Sequence, residues 1–103
     1  MNDPIVILSA TRTPIGGFLG ELAPASAIDL GGTAIRAAVQ RAGLNPEQIE
    51  EVLFGNCLMA GLRQAPARQA AHAAGLPRSA GATTLTKMCG SGMKAAMLAH
   101  DVL

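Results

Sequence analysis

Aromatic residues are almost absent from this sequence of 103 residues, which contains no tryptophan, no tyrosine and only two phenylalanines, Phe18 and Phe54. Their scarcity excludes a core built on large rings. Half of the residues are hydrophobic nevertheless, and small aliphatic side chains, alanine above all, make up most of them. This composition favours helices packed closely on a sheet, and the length is that of a single domain.

Charge of either sign is scarce as well. Eight lysines and arginines are matched by seven aspartates and glutamates, so the formal net charge is +1. Domains that bind nucleic acid usually carry a clustered basic surface, and acidic tails carry runs of like charge. The sequence has neither feature, and we therefore expect no nucleic-acid partner.

Cysteine and long apolar runs are also rare. The two cysteines, Cys57 and Cys89, make no disulfide framework, which is typical of a reducing compartment. The apolar run from Ile5 to Leu8 is far too short for a signal peptide, and no stretch approaches the roughly 20 apolar residues of a membrane span. We therefore expect a cytoplasmic protein without a membrane partner.

Apolar runs and breakers along the chain predict alternating strands and helices. The predicted strands are 4–10, 51–54 and 82–87, and the predicted helices are 26–43, a short one from Asn45-Pro46, 66–75 and 92–103. The order β-α-β-α-β-α, with connections long enough for crossover helices, predicts an α/β fold with parallel strand pairing.

The first predicted helix carries its own start and stop signals. Ser26 and Asp29 resemble a capping box, and Gly43 follows the last apolar position. Gly31 and Gly32 lie inside the helix, where each costs about 1 kcal/mol relative to alanine. We expect them where another backbone packs close.

The last predicted helix, from Gly92 to Leu103, has apolar residues on almost every face. A helix of this kind is expected to be buried. It carries no Gly, Asn or Pro stop signal, so we expect the chain to be the front part of a longer protein.

Cys89 lies in a Cys-Gly-Ser-Gly turn between the Thr-rich strand and the last helix. Free N–H groups at a helix start stabilise a thiolate, and glycines let a substrate approach the backbone. The turn therefore fits a cysteine nucleophile for acyl transfer. Gly90, Gly92 and Ala95 also fit the G-x-G-x-x-G/A pattern of a nucleotide-binding loop, and a structural, buried cysteine is a third interpretation.

The segment KMCGSGMKA, residues 87–95, closely resembles the nucleophile segment of thiolases, the family of acetyl-CoA C-acetyltransferases and 3-ketoacyl-CoA thiolases. Three further segments resemble thiolases in the same order and at similar spacing: IVILSATRTPIGGF, EEVLFGN and PARQAAHAAGLP. The resemblance implies a thiolase-like fold, of which residues 1–103 form an incomplete N-terminal domain with a buried helix after the nucleophile.

The resemblance also implies a reaction. Cys89 would attack an acyl-CoA thioester and carry the acyl group, while its backbone N–H contributes to the oxyanion hole. An enolate from acetyl-CoA would take the acyl group in a Claisen condensation, or the reaction would run backward as thiolysis. Acyl-CoA thioesters are then substrates, and no cofactor or metal is held permanently.

Several functions remain open at this point. Acetyl-CoA C-acetyltransferase is the expected activity, and a longer-chain 3-ketoacyl-CoA thiolase of fatty-acid β-oxidation is the near alternative. From another class, the alternatives are a dinucleotide-binding module or an inactive fragment. In thiolases the strand matching 82–87 pairs across a dimer interface and many members are tetramers, so the resemblance implies a homo-oligomer.

The family's activating histidine, its second cysteine, its Asn-His pair and its segment for coenzyme A lie beyond residue 103. His100 does not replace that histidine, because it is 11 residues, or about 16 Å of helix, from Cys89. His72 and Cys57 are interpreted as packing residues.

The chain departs from many thiolases at Arg63-Gln64-Ala65, where they have Gly-Gln-Asn. Ala65 lacks a capping side chain, and Arg63 adopts positive φ less readily than glycine. Arg68 and Gln69 keep the family's pattern and are interpreted as loop anchors near the catalytic turn.

Overall fold

A computed structural model describes residues 2–103. Its helices and strands are α1 (Ala27–Arg41), a short 3-10 helix (Pro46–Gln48), β1 (Glu51–Gly55), α2 (Pro66–Ala73), β2 (Gly81–Leu85) and α3 (Ser91–Val102). Six of the seven predicted elements are therefore confirmed within a few residues. None of the helices in residues 2–103 combines the length and the apolar character needed to cross a membrane.

The two strands form a parallel sheet in which Glu51 lies opposite Gly81 and Gly55 lies opposite Leu85. Parallel neighbours need a long crossover, and α2 is the helix of that connection. The predicted α/β arrangement with parallel pairing is confirmed. The carboxyl ends of both strands consequently meet at the same edge of the sheet.

Helix α1 begins at the predicted capping box. The Asp29 N–H donates to Ser26 Oγ at 3.0 Å, and the Ser26 N–H donates to the Asp29 carboxylate at 3.0 Å. These two hydrogen bonds lower the pKa of Asp29, the one from the Ser26 backbone most. The helix ends before Gly43, whose φ of +70° suits glycine.

Gly31 and Gly32 allow α1 to approach the rest of the core. A Cβ atom on Gly31 would lie 2.9 Å from the ring of Phe54, and one on Gly32 would lie 2.9 Å from Cβ of Ala73 in α2. The expected approach of another backbone is confirmed at Gly32, where the Ala73 backbone would lie 3.4 Å from that Cβ, whereas Gly31 meets side chains. The cluster of buried apolar residues beside these contacts consists of Val39, Val52, Ala71, Ala74 and Leu76.

The predicted strand at 4–10 is wrong for this structure. Val6 and Ile7 are 68% and 89% exposed, and the segment carries no strand pairing. It lies beside α1 instead, because Ser9 Oγ donates to the Ala38 carbonyl at 2.7 Å and Thr11 Oγ1 donates to the Ala34 carbonyl at 2.8 Å. Apolar sequence alone does not make a strand, since a strand needs a hydrogen-bonded neighbour.

Helix α3 lies where it is predicted, but most of its apolar side chains are exposed and not buried. Ser91 and Ala95 are its buried residues, and the helix packs on β1. Met93 and Met97 are 73% and 55% exposed. The difference arises because only one side of α3 contacts the sheet within residues 2–103, whereas its apolar residues surround the whole axis.

Candidate active site

Cys89 lies in the turn that joins β2 to α3, at the carboxyl edge of the sheet. Its side chain is exposed, as a group that reacts with an incoming molecule must be. The helix starts at Ser91 with Gly90 as its N-cap, so Cys89 precedes the helix and does not begin it. Ligands of parallel α/β sheets commonly bind at this edge.

A compact set of hydrogen bonds closes the turn. The Gly90 N–H donates to the Lys87 carbonyl at 3.0 Å, and the Ser91 N–H donates to the Met88 carbonyl at 3.1 Å. The Ser91 hydroxyl accepts from the Lys87 N–H at 2.9 Å and donates to the Met88 carbonyl at 2.6 Å. Met88 itself has a φ of +50°, which is uncommon for a side chain of its size.

Sequence reasoning missed Ser91. Its hydroxyl is polar yet 4% exposed, and it is the only buried polar side chain of residues 2–103. A signal was present, because serine two positions after a turn cysteine can hydrogen-bond the preceding backbone.

Gly55, the last residue of β1, holds the start of α3 against the sheet. A Cβ atom at this position would lie 2.6 Å from the Gly92 nitrogen and 2.6 Å from the Ser91 carbonyl oxygen. No side chain fits there without moving the backbone. The end of β1 therefore braces the turn at the start of α3.

The loop before α2 has the strained backbone that is expected where the sequence departs from the thiolase pattern. Arg63 and Ala65 have φ values of +66° and +48°, and Ala65 offers no side-chain cap to the helix. Thr84 of β2 supplies the missing acceptor, because the Ala67 N–H donates to its Oγ1 at 2.9 Å. This replacement cap comes from another element and was not predicted.

Gln69 is confirmed as a loop anchor. Its Nε2 donates to the carbonyls of Leu62 and Gln64, each at 2.7 Å, and so ties the loop to α2. Arg68 is exposed on the same helix and makes no such bond within the described residues, so its interpretation as a loop anchor is wrong.

Cys57 lies beside the turn and not in the apolar cluster. It is half-buried, and its Sγ lies 4.0 Å from Sδ of Met88. Its interpretation as a packing residue stays a prediction. The structure adds that its neighbour Met88 immediately precedes Cys89.

The histidines stay apart from the thiol. His72 is exposed on α2, so its interpretation as a packing residue is wrong. His100 Nε2 lies 2.7 Å from the Asp3 carboxylate, and its Nδ1 lies 3.5 Å from Asp101. The bond to Asp3, followed by that to Asp101, raises the pKa of His100. The pKa of Asp3 is lowered, first by the Ile5 N–H and then by His100.

Within residues 2–103, no cluster of histidine, cysteine or carboxylate side chains has the geometry of a metal site. The chemistry that the described residues offer is therefore that of an exposed thiol on a braced turn, beside a Cys89 N–H that donates to no acceptor in residues 2–103.

Comparison with known proteins identifies the class to which this fold and turn belong. Residues 5–103 match the thiolase N-terminal domain family. The chain therefore belongs to the thiolase family.

Individual relatives agree with that assignment. The chain is 54% identical over 95 residues to the cytosolic acetyl-CoA acetyltransferase of Gibberella zeae, covering 92% of this chain and 24% of that protein. It is 52% identical over 103 residues to the acetyl-CoA acetyltransferase of Cupriavidus necator, covering 100% of this chain and 26% of that protein. The chain thus spans about a quarter of the relatives it matches.

A solved structure has the same fold. The thiolase of Ascaris suum, crystallised in complex with coenzyme A, superposes with a TM-score of 0.90 and 43% sequence identity. The match covers 92% of this chain and 25% of that one. The thiolase-like α/β fold is confirmed.

Proposed function

We propose that residues 1–103 supply the nucleophile of an acetyl-CoA C-acetyltransferase, with Cys89 as the residue that carries the acyl group. The observation that carries this proposal is the match over 92% and 100% of the chain to proteins named acetyl-CoA acetyltransferase. The exposed position of Cys89 on a braced turn supports it, because a nucleophile must be both reachable and held in place.

In the proposed reaction, the Cys89 thiolate attacks the carbonyl carbon of acetyl-CoA. The carbon–sulfur bond to coenzyme A then breaks, coenzyme A leaves as the thiol after taking up a proton, and acetyl-Cys89 remains. The enolate of a second acetyl-CoA attacks this thioester, forms a carbon–carbon bond and releases Cys89 with acetoacetyl-CoA. Negative charge develops on the carbonyl oxygen in both steps, so N–H donors at that oxygen accelerate both.

The chain contributes only part of the machinery in this proposal. Neither His72 nor His100 contacts Cys89 within the described residues, so the base that takes the thiol proton would come from residues beyond 103. We accordingly propose that residues 1–103 are an incomplete N-terminal domain and that the isolated chain is inactive.

Partners and setting follow from the same proposal. Acyl-CoA thioesters are the substrates, no cofactor is held permanently, and β2 lies at the interface of a homodimer that can form a tetramer. A cytoplasmic location is proposed on the cysteine usage, although the relatives carry both cytosolic and mitochondrial names. A role in fatty-acid metabolism corresponds to the longer-chain alternative.

The test uses a full-length chimera in which residues 1–103 replace the matching segment of the Cupriavidus necator relative. The chimera is incubated with acetyl-CoA, and its peptides are mapped by mass spectrometry. We expect acetyl on Cys89, none in Cys89→Ala, and unchanged labelling in the matched variant Cys57→Ala. Absence of acetyl-Cys89 would overturn the proposal.

Two further measurements separate the alternatives. Turnover with acetoacetyl-CoA is compared with turnover of a longer 3-ketoacyl-CoA, and a preference for the longer substrate would move the assignment to the β-oxidation type. Binding of NAD without acetylation would favour the dinucleotide-binding module. The isolated chain, assayed for thiolysis, is expected to give no rate above the free-thiol background.

A further inference from the structure

The Ser91 hydroxyl makes hydrogen bonds on both flanks of Met88. It accepts from the Lys87 N–H at 2.9 Å and donates to the Met88 carbonyl at 2.6 Å. The hydroxyl has one proton, so the Thr86 hydroxyl, 3.5 Å away, can only donate to it. Since Ser91 is 4% exposed, water does not compete readily for these positions.

These bonds hold a backbone conformation that Met88 would not adopt by preference. A φ of +50° is unfavourable for a residue with a Cβ, and such a conformation persists only where the surroundings impose it. Within the described residues, the groups that bond the backbone of Met88 are the Ser91 hydroxyl, the Ser91 N–H and the Thr86 hydroxyl. Ser91 therefore supplies most of what fixes this conformation.

The orientation of Met88 decides the direction of the Cys89 N–H. The described chain has no cis peptide bonds, and in a trans peptide the N–H points opposite to the carbonyl of the preceding residue. The Met88 carbonyl points at Ser91, towards the buried side of the turn. The Cys89 N–H therefore points to the other side, and it donates to no acceptor within residues 2–103.

We propose that Ser91 is a positioning residue that aims the Cys89 N–H at the oxygen of the thioester attacked by Cys89. This inference rests on the proposed function and adds to it the residue that prepares the turn for charge on that oxygen. Ser91 itself touches neither the thiol nor the substrate. It acts through the Met88–Cys89 peptide.

The proposal predicts different effects on two reactions of the same sulfur. Acetylation by acetyl-CoA passes through an oxyanion and depends on an aligned N–H donor. Alkylation by iodoacetamide displaces iodide from a saturated carbon and builds no oxyanion. In the full-length chimera, Ser91→Ala is expected to slow acetylation of Cys89 about 10-fold or more, while alkylation changes by less than about 3-fold.

Two variants serve as controls. Ser91→Thr keeps the hydroxyl and is expected to restore most of the acetylation rate, and the exposed Ser79→Ala is the same substitution away from the turn. If Ser91→Ala does not fold, as judged by circular dichroism, Ser91→Cys replaces it. Because a thiol forms only weak hydrogen bonds, Ser91→Cys should also slow acetylation of Cys89 more than alkylation, but by a smaller factor than Ser91→Ala.

The outcomes are distinct from those that test the proposed function. Equal slowing of acetylation and alkylation would overturn the inference, because it indicates a loosened turn and no specific effect on the oxyanion. An unchanged acetylation rate in Ser91→Ala, or a folded Ser91→Thr as slow as Ser91→Ala, would overturn it too. Failure of the unsubstituted chimera to form acetyl-Cys89 would instead reject the proposed function.

Discussion

Three turns in residues 2–103 place residues other than glycine in the left-handed region: one at Leu19, one at Arg63 and Ala65, and one at Met88. The last two of these turns are supported very differently. In the loop before α2, Arg63 and Ala65 are exposed, and the Gln69 side chain bonds the carbonyls around them. In the turn after β2, Met88 is held by a buried hydroxyl, and the neighbouring strand braces the start of the helix.

The difference shows where backbone strain is useful. Glycine or asparagine in place of Arg63 or Ala65 would relieve the strain in the loop, because glycine and asparagine adopt the left-handed region more readily. Strain at Met88 is imposed mainly by the buried Ser91, and it sets the orientation of the peptide that precedes the candidate nucleophile. Such locally enforced conformations are typical of functional sites.

The largest expected effect comes from disturbing the close contact between Gly55 and the start of α3, which braces the turn after β2. Gly55→Ala would place a methyl group about 2.6 Å from backbone atoms of α3, so we expect the free energy of unfolding of the chimera to fall by about 1–3 kcal/mol. Acetylation of Cys89 should slow as well. Gly92→Ala is the matched control for stability, because a Cβ there meets nothing within 4 Å. Equal stability of the two variants in chemical denaturation would contradict the brace.

Thr84 of β2 bonds the start of α2, and replacing it should lower the stability of the protein less than Gly55→Ala does. Thr84→Val leaves the Ala67 N–H without its acceptor and removes the cap of α2, which is expected to lower the free energy of unfolding by about 1–2 kcal/mol. Thr83→Val changes the exposed neighbour on the same strand and should have little effect. If urea denaturation shows that Thr84→Val lowers the free energy of unfolding less than Thr83→Val does, the capping role is ruled out.

Relaxing the loop should stabilise the protein slightly. Arg63→Gly removes a left-handed conformation that costs a side-chain-bearing residue about 1–2 kcal/mol, and glycine returns part of that gain as unfolded-state entropy. We expect a net gain of about 1 kcal/mol, measured as a shift of the denaturation midpoint. Met88→Gly is the comparison: it should slow acetylation of Cys89, because glycine leaves the left-handed region freely. If Met88→Gly acetylates at the original rate, the turn does not depend on an enforced residue 88.

The smallest effect is expected at the pair between Asp3 and His100, which lies outside both turns. Because the pKa of His100 is raised in the folded protein, this residue stabilises the fold fully at pH values below its ordinary pKa of 6.5. The stabilisation is lost as the pH rises through the pKa of the folded state. Because the pKa of Asp3 is lowered in the folded protein, the stabilisation that Asp3 supplies is lost as the pH falls below about 3.8. The pair should therefore stabilise most between these values.

Thermal denaturation across this range is the measurement. The difference between the original chimera and His100→Gln is expected to be small, since both groups are exposed, and to shrink at alkaline pH. A difference that grows with rising pH would contradict the assignment.

Sequence reasoning was most accurate where residues close in the chain decide the outcome. The capping box of Ser26 and Asp29 and the glycine stop at Gly43 depend on neighbours within a few positions, and both are in place. Cys89 was selected in the same way, from its glycines and from its resemblance to a known nucleophile segment, and its catalytic role stays a prediction.

Predictions that needed a distant partner were less accurate. The apolar segment 4–10 was expected in a sheet, but it lies along α1 through Ser9 and Thr11 because strand formation depends on a free edge in the right place. The exposure of His72 likewise depends on which side of α2 faces α1. In an alanine-rich helix, apolar residues occur on several faces, so their periodicity does not identify the face that packs against α1.

The sequence by itself determined the helices, the parallel α/β arrangement and the position of the thiol, because capping, turn chemistry and apolar patterning act over a few residues. Only the tertiary structure decided how the turn around Cys89 is held. The acceptor for the start of α2 comes from Thr84, 17 residues along the chain, and the close approach at Gly55 joins β1 to a helix that begins 36 positions later, at Ser91. Contacts of this kind arise only when separate elements pack, so no local pattern encodes them.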